Sequence, residues 1–386
     1  MVAVWLVHLA TAWVADLRGQ NLSRIISSAT KIELWRSPPL LAILVFVIAQ
    51  VASCAFSIAP HISFWSGHER WQGTFMILCC VAFALAGFLS LRNRTDISRF
   101  VNGLLIGGSV VAAMGIAQRL WPGFPIPAPE APRISATLGN PVFLGAYLVL
   151  IIPIALSRWF TSLSSLRRVQ RWRGGTILRA GLYTFLVFEL FFCLLCTGSR
   201  GPWLGVLFAV STFGILLGWS HHKKAWLLMP LFLLIPATLL VIVINLPGPF
   251  PAILRAQPYL SRLYLGAGKD LTSVLERTLI WRAALLLIRD RPAIGSQGSG
   301  TLWWRHLLGY GPETTQFTLW TTYPVQLFHV ARTVGAYDRA HNRLLEITLT
   351  SGILGLLSYL ALLMTFFIAL FRQIKRANAP ATRILL

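Results

Sequence analysis

Within the nine positions from 338 to 346 the sequence places Asp338, Arg339, His341, Asn342, Arg343 and Glu346, and an apolar run follows without a break. An imidazole in such a cluster can take up or release a proton near neutral pH, while flanking guanidinium groups can hold an anionic substrate. If the apolar run is a helix, Asn342 and Glu346 are four residues apart on its first turns and share the face beside His341. Glu346 would then also sit favourably near the positive end of the helix dipole. A lone His at a membrane interface is equally often only an interfacial polar residue, so the cluster needs partners from elsewhere in the chain.

Arginines supply the candidates. Arg200 lies in TGSRGPW, a turn of about four residues between two apolar runs, where a guanidinium is costly unless paired or wetted and where its planar fork suits phosphate. A snorkelling side chain would explain it as well. Arg133 precedes the Gly139-Asn140-Pro141 turn and could add a second anion contact beside a helix start, or be a plain loop residue. Arg70, with His68 and Glu69, reads as a substrate contact or as part of a solvated loop. Arg277 and Arg282 are five apart on a helix-like run from Ser273 to Pro292, so they point in different directions and one of them should face a pocket. Arg289 and Arg291 read as surface charges. Glu189, inside an apolar run, is either a functional carboxylate or one bonded to a neighbouring helix.

There is no P-loop, dinucleotide fingerprint, HExxH or paired-Cys pattern. Asp270, Glu276, Asp290, Glu313 and Asp338 are too scattered to argue a metal site, so the expected site holds no metal and needs no cofactor. Chemistry built on these residues would use a His base, arginine electrostatics and a substrate that brings its own leaving group.

The elements that must position these residues are membrane helices. The 386 residues are 56% hydrophobic and 12% charged with mean hydropathy +0.67, against about 25% charged in soluble proteins. On a yardstick of about 20 apolar residues per crossing, spans are expected at roughly 1–17, 39–59, 73–91, 101–121, 142–157, 179–197, 202–219, 225–246 and 344–371. The last run is long enough to tilt strongly or to break near Ser351 and Gly352. The expected fold is an all-α polytopic transmembrane helix bundle of about nine spans with one large extracytoplasmic loop carrying short helices. Its divisions are 1–246 for the first eight helices, 247–340 for the loop region, 341–371 for the last helix and 372–386 for a cytoplasmic tail.

The net charge of +22 follows the topology. One set of short loops carries nineteen Lys and Arg, from Arg18 to Arg383, while the alternate set carries Arg70, Arg133 and Arg200. The positive-inside rule puts the first set in the cytoplasm and the 247–340 region outside. The basic surplus is thereby assigned to membrane lipids, and nucleic acid is not an expected partner. The five cysteines all lie in apolar runs and suggest neither disulfide nor metal site.

Five stretches together resemble the O-antigen ligase and polymerase superfamily of bacterial polytopic glycan-transfer proteins. They are FWSGHERWQG at 64–73, RISATLGNPVFLGAYL at 133–148, CTGSRGPWLG at 196–205, ERTLIWRAALLLIRDRPAIGSQGSG at 276–300 and AHNRLLEITLTSGILGLLSYL at 340–360. The resemblance implies an enzyme of the bacterial cytoplasmic membrane with its site on the extracytoplasmic face. It implies transfer of a glycan from an undecaprenyl-diphosphate-linked donor to a glycan, lipid or protein acceptor. His341 would be the base or acceptor-positioning group, Arg200 with Arg277 or Arg282 would stabilise the departing diphosphate, and Arg133 would support them. The alternative is a membrane transporter of the inorganic-carbon or small-solute type, in which Glu189 would belong to a pathway.

Overall fold

The computed structural model describes residues 37–67, 71–91, 93–121, 123–126, 133–168, 174–221, 226, 228–264, 268–294, 302–322, 324–327 and 337–376. Every regular element among them is helical. In chain order the α-helices are α1 (Pro38–Ala55), α2 (Pro60–Trp65), α3 (Thr74–Ser90), α4 (Arg94–Leu120), α5 (Pro141–Arg168), α6 (Gly174–Cys196) and α7 (Arg200–His221). They continue with α8 (Met229–Asn245), α9 (Pro249–Ala256), α10 (Gly268–Asp290), α11 (Arg305–Leu308), α12 (Thr315–Trp320) and α13 (Arg343–Arg376). The helix-like run expected from Ser273 is α10, and the segment after α8 does carry short helices.

Six of the described helices are long and apolar enough to cross a membrane: α1, α4, α5, α6, α7 and α13. The number rises to seven if α8 and α9 form one span, but the chain bends by 106° between them. That bend falls at Leu246–Pro251, where Gly248 takes φ 130 and Pro249 opens α9 in the position a proline tolerates. The apolar part of α3, Thr74–Phe88, is too short to be counted. Nine spans are therefore more than these helices provide, and the expected span 1–17 lies outside the described residues. Many large apolar side chains on the helices face outward, Leu150 at 70% and Phe232 at 73% exposure among them, as lipid-facing surfaces require.

The chain forms two compact units, Asn93–Leu271 with Leu370–Leu386, and Met1–Arg92 with Thr272–Ala369. In the first, α4 to α7 enclose a core around Ala112, Leu144, Leu148, Ala155, Leu190 and Cys193. Small residues permit the close helix contacts typical of membrane bundles: a Cβ on Gly145 of α5 would come within 2.5 Å of Pro202 of α7.

In the second unit, Ile280, Ala283, Ala284 and Leu287 recur on one face of α10 at helical spacing. They pack with Tyr310, Leu319, Ala340 and Leu349. The last helix is broken, as the sequence allowed. Gly352 has φ 64 and ψ −164, leaving a short half from Arg343 to Ser351 and a long apolar half after it. Arg343 and Tyr359 would lie about 24 Å apart along a straight helix, yet the Arg343 guanidinium carbon is 5.9 Å from the Tyr359 ring centroid. The two halves therefore fold toward each other at the break.

Candidate functional site

The short half of α13 presents His341 from its N-terminal end. Asn342 caps the helix: its Oδ1 accepts from the N–H groups of Leu344 at 3.1 Å and Leu345 at 3.4 Å, and its carbonyl accepts from Glu346 N–H. Asn342 thus spends its Oδ1 on its own helix. Glu346 turns inward and is 5% exposed. Its Oε2 accepts from Ala340 N–H at 2.7 Å and its Oε1 from the Thr315 hydroxyl of α12 at 2.6 Å. The Ala340 carbonyl accepts from Trp281 Nε1 of α10 at 2.9 Å. Both backbone groups of the residue before His341 are therefore held by side chains from other turns. His341 itself is exposed, adopts φ 50, and meets the edge of Tyr337 with ring centroids 6.3 Å apart. A left-handed backbone at a non-glycine residue persists only where its surroundings enforce it, and here Glu346 and Trp281 do so.

Beneath this turn lies a cavity of ≈ 610 Å³, lined at its polar end by Gln50, Gln72, Glu313, Arg339, Arg343 and Glu346. Its walls continue along α1, α3 and α13 through apolar residues such as Phe46, Met76 and Leu362. Arg339 pairs with Glu313 and donates to Gln72 Oε1 at 3.0 Å, while Ser66 donates to the other Glu313 oxygen at 3.0 Å. Ser66, Trp71 and Glu313 also have left-handed φ, so backbone strain gathers around this network. Sequence reasoning weighed Glu313 only as one of several scattered carboxylates and singled out no role for Gln72, because nothing in their local sequence joins them. Only the fold brings residues 66, 72, 313 and 339 together.

Of the two candidate arginines on α10, Arg282 lines a shallow groove of ≈ 390 Å³ with Thr278, Trp281 and Arg289, and Arg277 is exposed outside it. Arg282 is adjacent in sequence to Trp281, whose indole bonds the carbonyl just before His341. Arg289 is a surface residue pairing with Asp290 at 2.6 Å.

Arg291, expected at the surface, is instead 1% exposed. Its φ of 43 ends α10 and turns the side chain inward. There it donates to the carbonyls of Leu349 at 2.8 Å and Thr348 at 2.6 Å, in the last turn before the break at Gly352. Arg305, fully buried, does the same at the end of α1, donating to Phe56 O at 2.9 Å and to Gly309 O at 2.8 Å. The ring of Tyr310 lies 5.4 Å from both guanidinium carbons. Burial draws both arginines down to about 10 and pushes the Tyr310 phenol up to about 12, so at neutral pH the guanidiniums stay charged and the phenol neutral. Their electrostatic counterparts are the negative ends of two helix dipoles.

In the other unit, Arg133 donates to Thr197 O at 2.9 Å and to Ser199 Oγ at 2.8 Å, bracing the turn that leads into Arg200. Arg200 opens α7 and donates to the carbonyls of Arg262 and of Tyr264. Glu189 accepts from Ser109 of α4 at 2.6 Å, which is the neighbouring-helix bond left open by the sequence. Arg70 lies outside the described residues.

Comparison with known proteins finds a family model that matches part of the chain. Residues 185–360 match the family model described as O-Antigen ligase. The matched stretch contains Arg282, the buried Arg291 and the whole turn around His341, and it supports ligase- or polymerase-type glycan transfer in general terms. It lends nothing to the transporter alternative. No curated protein and no solved structure matches the chain.

Proposed function

From an O-antigen ligase region at residues 185–360, we propose that the chain moves a glycan from an undecaprenyl-diphosphate-linked donor to an acceptor hydroxyl at the extracytoplasmic face of the cytoplasmic membrane. The observation that carries this reading is the His341 turn: an exposed imidazole on a left-handed residue, fixed through Ala340 by Glu346 and Trp281. Neutral His341 accepts the proton of the acceptor hydroxyl as that oxygen attacks the anomeric carbon. The bond from this carbon to the diphosphate breaks, and undecaprenyl diphosphate leaves with the electron pair. Arg282 stabilises the charge that develops on the leaving oxygens, with Arg277 a second cation on the same helix. The placement of the site outside rests on the nineteen-to-three bias of basic residues between alternate short loops.

The test is transfer in proteoliposomes, using a synthetic undecaprenyl-diphosphate-linked oligosaccharide and the envelope glycolipid fraction of the producing cell as acceptor. His341→Ala should lower turnover by about 10² to 10⁴, the range for loss of a general base. Arg282→Gln should cost about 10². Wild-type turnover in the His341→Ala protein would overturn the assignment.

A further inference from the structure

The short half of α13 has a catalytic candidate at one end and a buried arginine at the other, and the second end has no part in the chemistry just described. Nine residues, Arg343 to Ser351, separate the His341 turn from the break at Gly352. A helix this short has little stability of its own, so its orientation depends on what grips its two ends. At the N-terminal end the grip is Asn342, Glu346 and, through Ala340, Trp281. At the other end, Tyr310 N–H bonds Leu349 O at 3.2 Å, Gly311 N–H bonds Thr350 O at 2.7 Å, and Ser53 donates to Thr350 O at 2.9 Å. Arg291 adds a charged contact, spanning the carbonyls of Thr348 and Leu349. Its own position is set by the left-handed end of α10 and by Tyr310, whose hydroxyl donates to Pro292 O at 2.9 Å. Trp281 and Arg291 belong to the same stretch of chain, so α10 holds the half-helix at both ends.

We infer that Arg291 is a positioning residue for glycan transfer: it sets the angle and depth of the half-helix Arg343–Ser351 and thereby the place of His341, which it does not touch. The inference rests on the reading of His341 as the base. A guanidinium aimed at two neighbouring helix carbonyls fixes direction as well as distance, because its planar fork meets both acceptors at once. A lysine ammonium at the same position could reach one carbonyl as a point charge and would let the helix pivot.

The experiment is a double-mutant cycle on the proteoliposome assay with the same donor and acceptor. Arg291→Lys should lower kcat by about 10- to 100-fold, the cost of a misplacement on the 1 Å scale, with KM for the donor unchanged. In a His341→Ala background, Arg291→Lys should have no further effect on residual transfer, because the two residues act as one unit. Unchanged kcat in Arg291→Lys, with His341→Ala inactive, overturns the inference and leaves the base assignment standing. Losses that multiply in the double variant assign Arg291 a merely structural role and also overturn it. Wild-type transfer in His341→Ala removes the base assignment and the inference with it. Should Arg291→Lys fail to fold, Tyr310→Phe, which keeps the ring and deletes only the bond to Pro292, replaces it in the cycle. It should give a smaller loss of kcat that likewise vanishes beside His341→Ala, and unchanged kcat there overturns the inference.

Discussion

Replacing Glu346 separates bracing of the His341 turn from a direct chemical use of the carboxylate. Glu346→Ala removes the acceptor of two donors, the Ala340 N–H at 2.7 Å and the Thr315 hydroxyl at 2.6 Å, in a part of the protein where both residues are 0% exposed. A buried donor left without a partner costs about 1–3 kcal/mol, so the two together cost about 2–6 kcal/mol. Glu346 also lines the ≈ 610 Å³ cavity. Water can enter the vacated space and bond one donor, which brings the expected loss to the lower end, about 2–3 kcal/mol. The left-handed backbone at His341, itself worth about 1–3 kcal/mol of strain, then loses one of its two restraints and relaxes. Glu346→Gln behaves differently. Its amide oxygen still accepts from Ala340, its NH2 donates to the Thr315 oxygen, and the hydroxyl proton rotates away, so the turn keeps its shape at a cost of about 1 kcal/mol. Thermal unfolding in detergent and transfer kinetics are to be measured on both variants. Glu346→Ala should be clearly destabilised with turnover down by about 10², as for a catalytic group displaced by 1 Å, and Glu346→Gln should retain most of both. A Glu346→Gln protein that melts like wild type yet is as inactive as Glu346→Ala would refute the bracing argument, since only the charge would then have been lost.

Two further outcomes follow from the buried ends of the broken helices. Gly352→Ala should destabilise the protein by at least about 1–2 kcal/mol, the cost of a left-handed residue bearing a Cβ, because φ is 64 and the new carbon would fall 2.2 Å from Leu307 O. The midpoint of thermal unfolding in detergent checks it, and an unchanged midpoint would mean that the break is not held in this form. Arg305→Met should lower the yield of folded protein by leaving the Phe56 and Gly309 carbonyls against an apolar side chain, a loss of about 1–3 kcal/mol for each buried acceptor left unpaired. Size-exclusion profiles of the purified variants measure it, and a wild-type yield of monodisperse protein would contradict the capping role.

Much of this protein was legible one residue at a time. Hydropathy located the membrane helices because a bilayer demands long apolar runs whatever their neighbours. The break at Gly352 could be anticipated from Ser351-Gly352 inside an overlong run, and the five-residue spacing of Arg277 and Arg282 points them in different directions. These properties are set by local chain geometry and by solvent. The span count was less secure: α3 and α8 are each 17 residues long, and the 106° turn after α8 is made by a glycine and prolines whose effect on a span is not written in hydropathy.

The opposite characters of Arg289 and Arg291 were not legible. Two positions apart on one basic stretch, they look alike in sequence, but one pairs with Asp290 in solvent and the other is buried against Thr348 and Leu349. What separates them is the left-handed turn at the end of α10 and the presence of two helix carbonyls 57 and 58 residues further along. The same holds for Glu346, which sequence placed beside His341 and tertiary structure turned underneath it. The sequence by itself determined which residues can carry a charge or a proton and which segments must lie in lipid. Only the tertiary structure decided which charges are spent on helix ends and which face outward, because a buried guanidinium or carboxylate takes its role from the backbone groups left unpaired around it, and those are created by packing between segments distant in the chain.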